Sequence, residues 1–244
     1  MIPLSAARLA ELRPWIDAEP LSSRRQVAQH VAYTGVGMAF ADRCPEPRVL
    51  LFQLDTNYAL LGDPDAVTVT APDLAALRGP IAAASSFEPV LRAAFPSLQV
   101  RPRLMQRLSR EPAEVTPRAG EVRRLESAAD LAGFGSPWVA ASWGGPEGLA
   151  RSGRAWGGYL DGTLVSVACA FLQAEAEEEL GVATEPAAQG LGLSTACAAN
   201  VCRDILGRGR IATWTTAADN VPSLRVATKL GFGDPLADLL FATA

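Results

Sequence analysis

The second half of the chain alternates short apolar runs with polar turns, a pattern typical of β-strands. Runs at 155–160, 163–172 and 178–184 predict three strands, and Asp161-Gly162 predicts a tight hairpin between the first two. A further apolar run at 211–216 predicts another strand. Because a helix is predicted between the last two strands, we expect them to lie parallel in one sheet.

Two helices are predicted among these strands. The segment 193–206 has apolar residues at four-residue spacing, as one face of a helix requires. These residues are Leu193, Cys197, Val201 and Ile205. The segment 221–230 is opened by Asn220, a good N-cap residue, and is followed by Gly231, a typical C-terminal stop.

The first half of the chain has a weaker mixed pattern. Helices are predicted at 5–15 and 23–31, and a β-hairpin at 49–54 and 58–61. The remaining predictions are a strand at 66–70, helices at 74–84 and 87–95, and an extended segment at 98–108. No set of residues in this half is a recognisable catalytic site.

A Pro-rich and polar segment at 109–120 predicts a linker between two domains. The chain of 244 residues is 49% hydrophobic, enough to bury a core in each. We therefore predict an α/β domain at 1–115 and a second domain at 120–244, which opens with a strand at 121–126.

Charge and composition exclude several function classes. The net charge is −4 and the pI is near 5.2, which argues against general nucleic-acid binding. The sequence contains no run of 18 apolar residues and no signal-peptide pattern at its start. We expect a cytoplasmic protein that binds neither nucleic acid nor membrane, and leave its oligomeric state open.

The cysteines and the histidine form no recognisable metal-binding or catalytic motif. Cys44, Cys169, Cys197 and Cys202 form no C-x-x-C pair, so buried free thiols are expected. Because His30 is the only histidine in the sequence, a His-rich metal site is excluded, and no metal is predicted. A Ser-His-Asp triad would depend on His30 alone, and no G-x-S-x-G motif accompanies it.

The segment 182–194 is a strand, a Pro-bounded turn and a Gly-rich loop that opens a helix. Gly190 and Gly192 let an anion approach unpaired backbone N–H groups, and Gln189 and Ser194 add polar donors. A Walker loop is excluded because no Gly-Lys-Ser/Thr follows. A dinucleotide loop is disfavoured because Thr195 replaces the third glycine. The pattern indicates a phosphate-binding loop.

Two motifs identify a family. The pattern Gln189-x-x-Gly192-x-Ser194, preceded by Thr184-x-Pro186, resembles the Arg/Gln-x-x-Gly-x-Gly/Ala signature of the GNAT N-acetyltransferases. About thirty residues later, the segment 220–232 resembles the family's Asn-led helix that ends in Lys-Leu-Gly-Phe. The resemblance covers about 120 residues. It implies a mixed, mostly antiparallel sheet flanked by helices, with strands 178–184 and 211–216 parting at their ends.

The resemblance also implies an acyl donor, acetyl-CoA, and a primary amine acceptor on a small molecule or peptide. Backbone groups of Val182, Ala183 and Thr184 would pair with pantetheine. Asn220 would lie near the pantetheine or the leaving thiol, or be a plain N-cap. The pyrophosphate would lie on the loop formed by Gln189, Gly190, Leu191, Gly192, Leu193 and Ser194.

The catalytic residues are less well defined. Glu178, within Glu177-Glu178-Glu179, is predicted as the general base, although a solvated acidic strand edge is the alternative. Trp143 is predicted to wall the acceptor site, with core packing as the alternative. The tyrosine that often serves the family as general acid is Ala227 here. A water, Ser223 or another donor must then replace it.

These departures leave two functions open. One is an active N-acetyltransferase, and the other is a catalytically weak acyl-CoA-binding regulator. The first half of the chain, outside the motifs, is open to interpretation as an interaction module or as a degenerate second GNAT-like unit.

Overall fold

The computed structural model describes residues 1–67, 74 and 76–243. The α-helices are α1 (Ala6–Ala18), α2 (Ser23–Thr34), α3 (Glu88–Ala94), α4 (Pro146–Ser152), α5 (Leu193–Gly207) and α6 (Val221–Leu230). The strands are β1 (Ile2–Pro3), β2 (Met38–Ala41), β3 (Val49–Leu54), β4 (Asn57–Gly62), β5 (Pro80–Ala82), β6 (Gln99–Leu108), β7 (Glu121–Arg124), β8 (Ala155–Leu160), β9 (Thr163–Gln173), β10 (Glu177–Thr184), β11 (Ile211–Ala217) and β12 (Gly233–Ala242).

The chain divides into two compact units, and the first includes the last residues of the chain. The first unit comprises Met1–Arg103 and Ala237–Ala244, and the second Leu104–Leu236. The division therefore falls within β6, and not at the linker predicted over 109–120. That segment is held by the second unit, because Arg203 donates hydrogen bonds to the carbonyls of Pro112 and Ala113.

The first unit begins with an antiparallel meander of β1, β2, β3 and β4. β5 pairs parallel with β4. The predicted hairpin is confirmed, with Leu54 opposite Asn57 across the turn. The end of β12 completes the unit, pairing antiparallel with β5.

The remaining predictions for this half have mixed outcomes. Helices α1 and α2 are confirmed, capped by the side chains of Ser5 and Ser22. The helix predicted at 74–84 is wrong in its last part, which forms β5. Of the strand predicted at 66–70, Ala66 ends a short 3₁₀-helix, and residues 68–70 lie outside the described residues.

The second unit repeats this order of strands. β7, β8, β9 and β10 form an antiparallel meander, and β11 lies parallel to β10 as predicted. The predicted hairpin is present, since Leu160 faces Thr163 and both turn residues have positive φ. The mixed, mostly antiparallel α/β class is therefore confirmed.

Two apolar cores cover the two faces of this sheet. One packs α5 and α6 on the strands and includes Cys197, Leu230 and Trp214. The other packs α4 and two 3₁₀-helices (Ala128–Leu131 and Pro137–Trp143) on the opposite face. Within the described ranges, no helix combines the length and apolar character needed to cross a bilayer.

The end of β12, which belongs to the first unit, gives a stability prediction. Phe241 is fully buried in the core of the first unit, whereas Leu236 on the same strand is 41% exposed. We expect Phe241→Ala to lower the free energy of unfolding by about 3–5 kcal/mol, because it leaves a cavity. Leu236→Ala is the control, with an expected change within about 0.5 kcal/mol. Urea unfolding measures both, and equal effects of the two variants would contradict the placement of Phe241.

Candidate active site

The central feature of the second unit is the early end of the parallel pairing. Residues Glu177, Glu178 and Glu179 pair with Ile211, Ala212 and Thr213. β10 continues to Thr184 and β11 to Ala217, but the register between them stops at Glu179. The two strands thus separate along 180–184, as the GNAT resemblance implied.

The other edge of β10 stays fully paired. Val182, Ala183 and Thr184 face residues of β9, and the Thr184 hydroxyl lies 2.7 Å from that of Ser166. Strand backbones direct hydrogen-bonding groups to both sides. The edge of 180–184 that faces β11 therefore offers backbone donors and acceptors at the opening.

The Gly-rich loop lies between β10 and α5 and leads into the first turn of α5. Gly190 and Gly192 both adopt left-handed backbone conformations, with φ of 81° and 85°. Gly192 is the N-cap and has no side chain to satisfy the first helical N–H groups. Leu193 turns its side chain into the core, while Gln189 stays exposed and Ser194 half-exposed. This is the geometry expected of an anion-binding helix start.

Arg118 is a candidate residue that the sequence interpretation missed. Its backbone N–H donates to the carbonyl of Leu191 at 2.8 Å. The backbone of this exposed arginine therefore lies beside the Gly-rich loop. A Cβ added to Gly192 would stand 3.5 Å from the Cα of Pro117. The loop 189–194 carries no cation of its own. Nothing in the local sequence around Arg118 indicates this placement.

The second motif borders the opening through α6. The Asn220 side chain caps α6 by accepting from the Ser223 N–H at 3.3 Å. The Ser223 hydroxyl accepts from Trp214 Nε1 at 3.0 Å, so its own hydrogen is directed elsewhere. Trp214 follows Thr213, the last residue of β11 that pairs with β10. Ala227, in the position of the usual tyrosine, is fully buried.

The face of β10 opposite α5 has a β-bulge at the opening. Glu179 pairs with Leu172 but Leu180 pairs with Ala170, so Phe171 is an extra residue on β9. Phe171 packs against Gly181, where an added Cβ would stand 3.0 Å from the Phe171 Cβ. Bulges often redirect a side chain beside a functional site.

Trp143 lies on this same face. Its Nε1 donates to the carbonyl of Ala170 at 2.9 Å, and its ring packs on the core that includes Ala183. The guanidinium of Arg154 lies 5.7 Å from the ring centroid. Trp143 thus has the packing role that was the alternative for it, and contact with an acceptor stays a prediction.

Glu178 is held in a cluster of three arginines. Its fully buried carboxylate accepts from Arg154 at 2.7 Å, from Arg208 at 2.6 and 3.1 Å, and from Arg210 at 2.5 Å. Burial raises the pKa of Glu178, but the arginine hydrogen bonds and charges outweigh burial and lower it overall.

This arrangement does not fit the predicted general base. A base needs a pKa near the working pH, whereas the arginine hydrogen bonds lower the pKa of Glu178. The alternative of a solvated strand edge does not fit either, since Glu177 and Glu179 are each only 6% exposed.

The buried thiols offer no nucleophile. Burial raises the pKa of Cys169, Cys197 and Cys202 to about 12, so each stays protonated at neutral pH. Cys44 is exposed, which differs from the buried state expected for the cysteines.

The Glu178 cluster gives a stability prediction. Glu178→Gln leaves three part-buried arginines without their counter-charge, and we expect a loss of up to about 3 kcal/mol at neutral pH. Because folding lowers the Glu178 pKa, its contribution is present above its ordinary pKa of 4.5 and is lost as the pH falls below it.

Urea unfolding at neutral pH and at about pH 3 tests this linkage. The difference between Glu178→Gln and the wild type should shrink at the lower pH. Glu175→Gln, in the exposed turn before β10, is the matched control and should change little. A Glu178→Gln protein of unchanged stability but no activity would instead support the general-base hypothesis.

Comparisons with known proteins agree with this geometry. The family described as GNAT acetyltransferase matches residues 123–235. A Streptomyces virginiae protein described as an uncharacterized N-acetyltransferase in the mutA 5' region is 38% identical over 189 residues, which cover 74% of this chain and 78% of that protein.

Two solved structures share the fold over nearly the whole chain. A GCN5-related N-acetyltransferase-like protein from Streptococcus suis superposes with a TM-score of 0.71 at 16% identity, covering 97% of this chain and 98% of that one. A tandem GNAT protein from the clavulanic acid biosynthesis pathway gives 0.57 at 16% identity, covering 98% and 96%. With the Streptomyces virginiae relative at 38% identity, the chain belongs to the GNAT acetyltransferase family and is an N-acetyltransferase.

Proposed function

We propose that the protein transfers an acetyl group from acetyl-CoA to a primary amine of a small molecule or peptide by direct attack. One observation carries the proposal: the pairing of β10 with β11 ends at Glu179, and the chain after β10 forms the Gly-rich loop that opens α5. An open strand edge followed by an anion-binding helix start suits a ligand with an amide-containing arm and a pyrophosphate.

The donor would lie along β10. The amide groups of the pantetheine arm would pair with the open edge of Val182, Ala183 and Thr184, as a further strand would. The pyrophosphate would rest on the N–H groups that begin α5, with Gln189 and Ser194 at its sides. Arg118 would supply the positive charge that the loop itself lacks.

The chemistry is a direct acyl transfer. The neutral amine nitrogen attacks the thioester carbonyl, a C–N bond forms and the C–S bond breaks. A backbone N–H at the open edge of β10 would stabilise the oxyanion. With Glu178 held by arginines, we assign the amine proton to Glu179, the neighbouring carboxylate on the opposite face of the strand.

The leaving thiolate needs a hydrogen-bond donor where Ala227 replaces the usual tyrosine. Ser223 is suited to this, because its hydroxyl oxygen is occupied by Trp214 Nε1 and its hydrogen is free to turn. A serine is a weaker acid than a tyrosine, so its contribution is a hydrogen bond to the thiolate rather than full proton transfer.

Ala227 also supports a second candidate function. Ala227 is buried and stands where the family often has a tyrosine as general acid. The second candidate is therefore a protein that binds acyl-CoA, turns it over slowly and acts as a regulator. Turnover of acetyl-CoA with a panel of primary amines separates the two functions. Binding without turnover would favour the regulator.

The Gly-rich loop gives a binding prediction with an internal control. Gly190→Glu adds a negative charge at the proposed pyrophosphate site, and we expect acetyl-CoA binding to weaken by about tenfold or more. Gly209→Glu makes the same change just past the other end of α5. Both glycines have positive φ and no neighbour within 4 Å, so the strain of substitution is matched.

Calorimetry with acetyl-CoA measures both variants, with circular dichroism to confirm their folding. Weak binding by Gly190→Glu alone would support the site. Equal binding by both variants would place the donor elsewhere, and no binding by the wild type would remove the proposed function.

Arg118 gives a second binding prediction. We expect Arg118→Ala to weaken acetyl-CoA binding about threefold to tenfold, as loss of an exposed charge-assisted hydrogen bond does. Arg118→Lys should retain part of the affinity. Arg151→Ala, at the exposed end of α4, is the control.

The measurement is calorimetry at low and high salt. Since the contribution is electrostatic, the Arg118→Ala effect should shrink as salt rises. An effect that salt does not change would indicate a local folding defect.

A further inference from the structure

An exposed tryptophan stands beside the opening of the sheet. Trp138 is 46% exposed, which is unusual for so large an apolar side chain. Its ring meets that of Phe171 edge-on, with centroids 5.7 Å apart and planes at 67°. An edge contact orients an indole without covering both its faces.

The bulge places this aromatic pair at the separated strands. Phe171 is the extra residue of β9, and it packs on Gly181, two residues beyond the last pair between β10 and β11. Trp138, in contact with Phe171, therefore stands within two side chains of the open edge of β10. The face concerned is the one opposite α5, on which Ala183 also packs.

A carboxylate binds the segment just before the 3₁₀-helix that carries the tryptophan. Glu185, directly after β10, accepts from the N–H of Gly135 at 2.7 Å. A Cβ at Gly135 would stand 2.9 Å from that carboxylate, so a larger residue there would displace the end of the Glu185 side chain. Trp138 follows three residues later. An aromatic surface and a negative charge are thus tied to the end of the same strand.

This combination suits an acceptor that has both an aromatic ring and an ammonium group. The ring would stack on the open face of the indole, and the negative charge of Glu185 would attract the ammonium toward β10 before it loses its proton. A purely polar amine could use the charge but not the ring.

We propose that Trp138 is the acceptor-binding residue that selects an arylalkylamine, with the amine directed toward Gly181 and Ala183. This inference rests on the proposed function, since it names the acceptor class of the same site. Trp143 cannot take this role as freely, because its Nε1 is bound to the Ala170 carbonyl.

The test compares phenethylamine with ethanolamine as acceptors, each with saturating acetyl-CoA. The wild type should prefer phenethylamine. We expect Trp138→Ala to lower kcat/KM for phenethylamine about tenfold, mainly through KM, which corresponds to a lost aromatic contact. The value for ethanolamine and the KM for acetyl-CoA should not change, and Trp138→Phe should restore most of the loss.

The outcomes distinguish this inference from the proposed function. Equal losses for both amines in Trp138→Ala, or no preference in the wild type, would overturn the role of Trp138 while leaving the acetyltransferase in place. Absence of acetyl-CoA binding by calorimetry, together with no turnover of either amine, would overturn the proposed function itself and this inference with it.

Discussion

The site depends on one constraint, which is that β10 and β11 pair at one end only. A strand edge buried without partners is unfavourable, because each unpaired backbone N–H and C=O loses its hydrogen bond to water. Residues 180–184 keep one edge on β9 and leave the other open. A ligand that brings its own amide groups can satisfy that edge. The topology that makes β10 and β11 parallel also places α5 after the open segment in the chain, so the proposed donor site combines the open strand edge with the start of this helix.

The closed end of the sheet is as important as the open one. Arg154 comes from the start of β8, Arg208 follows α5, and Arg210 precedes β11, and all three converge on Glu178. Strands that separate at one end must be fixed at the other, or the opening has no defined width. The cluster joins four elements at the paired end. A buried carboxylate that looks catalytic by residue type is, in this position, better explained as the anchor of the opening.

The sequence predicted the features that are encoded locally. The Asp161-Gly162 turn, the Asn220 cap and the Gly231 stop each depend on a few adjacent residues, and all three are present. The partners of Glu178 and the placement of Arg118 were missed, because both come from segments remote in sequence. β12 was not predicted, since its first residues are exposed and include Pro235, and its apolar residues follow only later. The assignment of Ala237–Ala244 to the first unit cannot be derived from either half alone.

The two units follow the same order of strands, yet they differ where a donor would bind. In the first unit, the described residues after β4 carry Asp63 and Asp65 instead of glycines. A hydrogen bond from Arg48 lowers the Asp63 pKa, so the carboxylate stays charged and offers a phosphate no hydrogen-bond donor. Leu60, Leu74 and Leu77 are buried in the core beside β4 and β5. The same order of strands therefore occurs twice in one chain, while the Gly-rich loop proposed to bind phosphate occurs in the second unit.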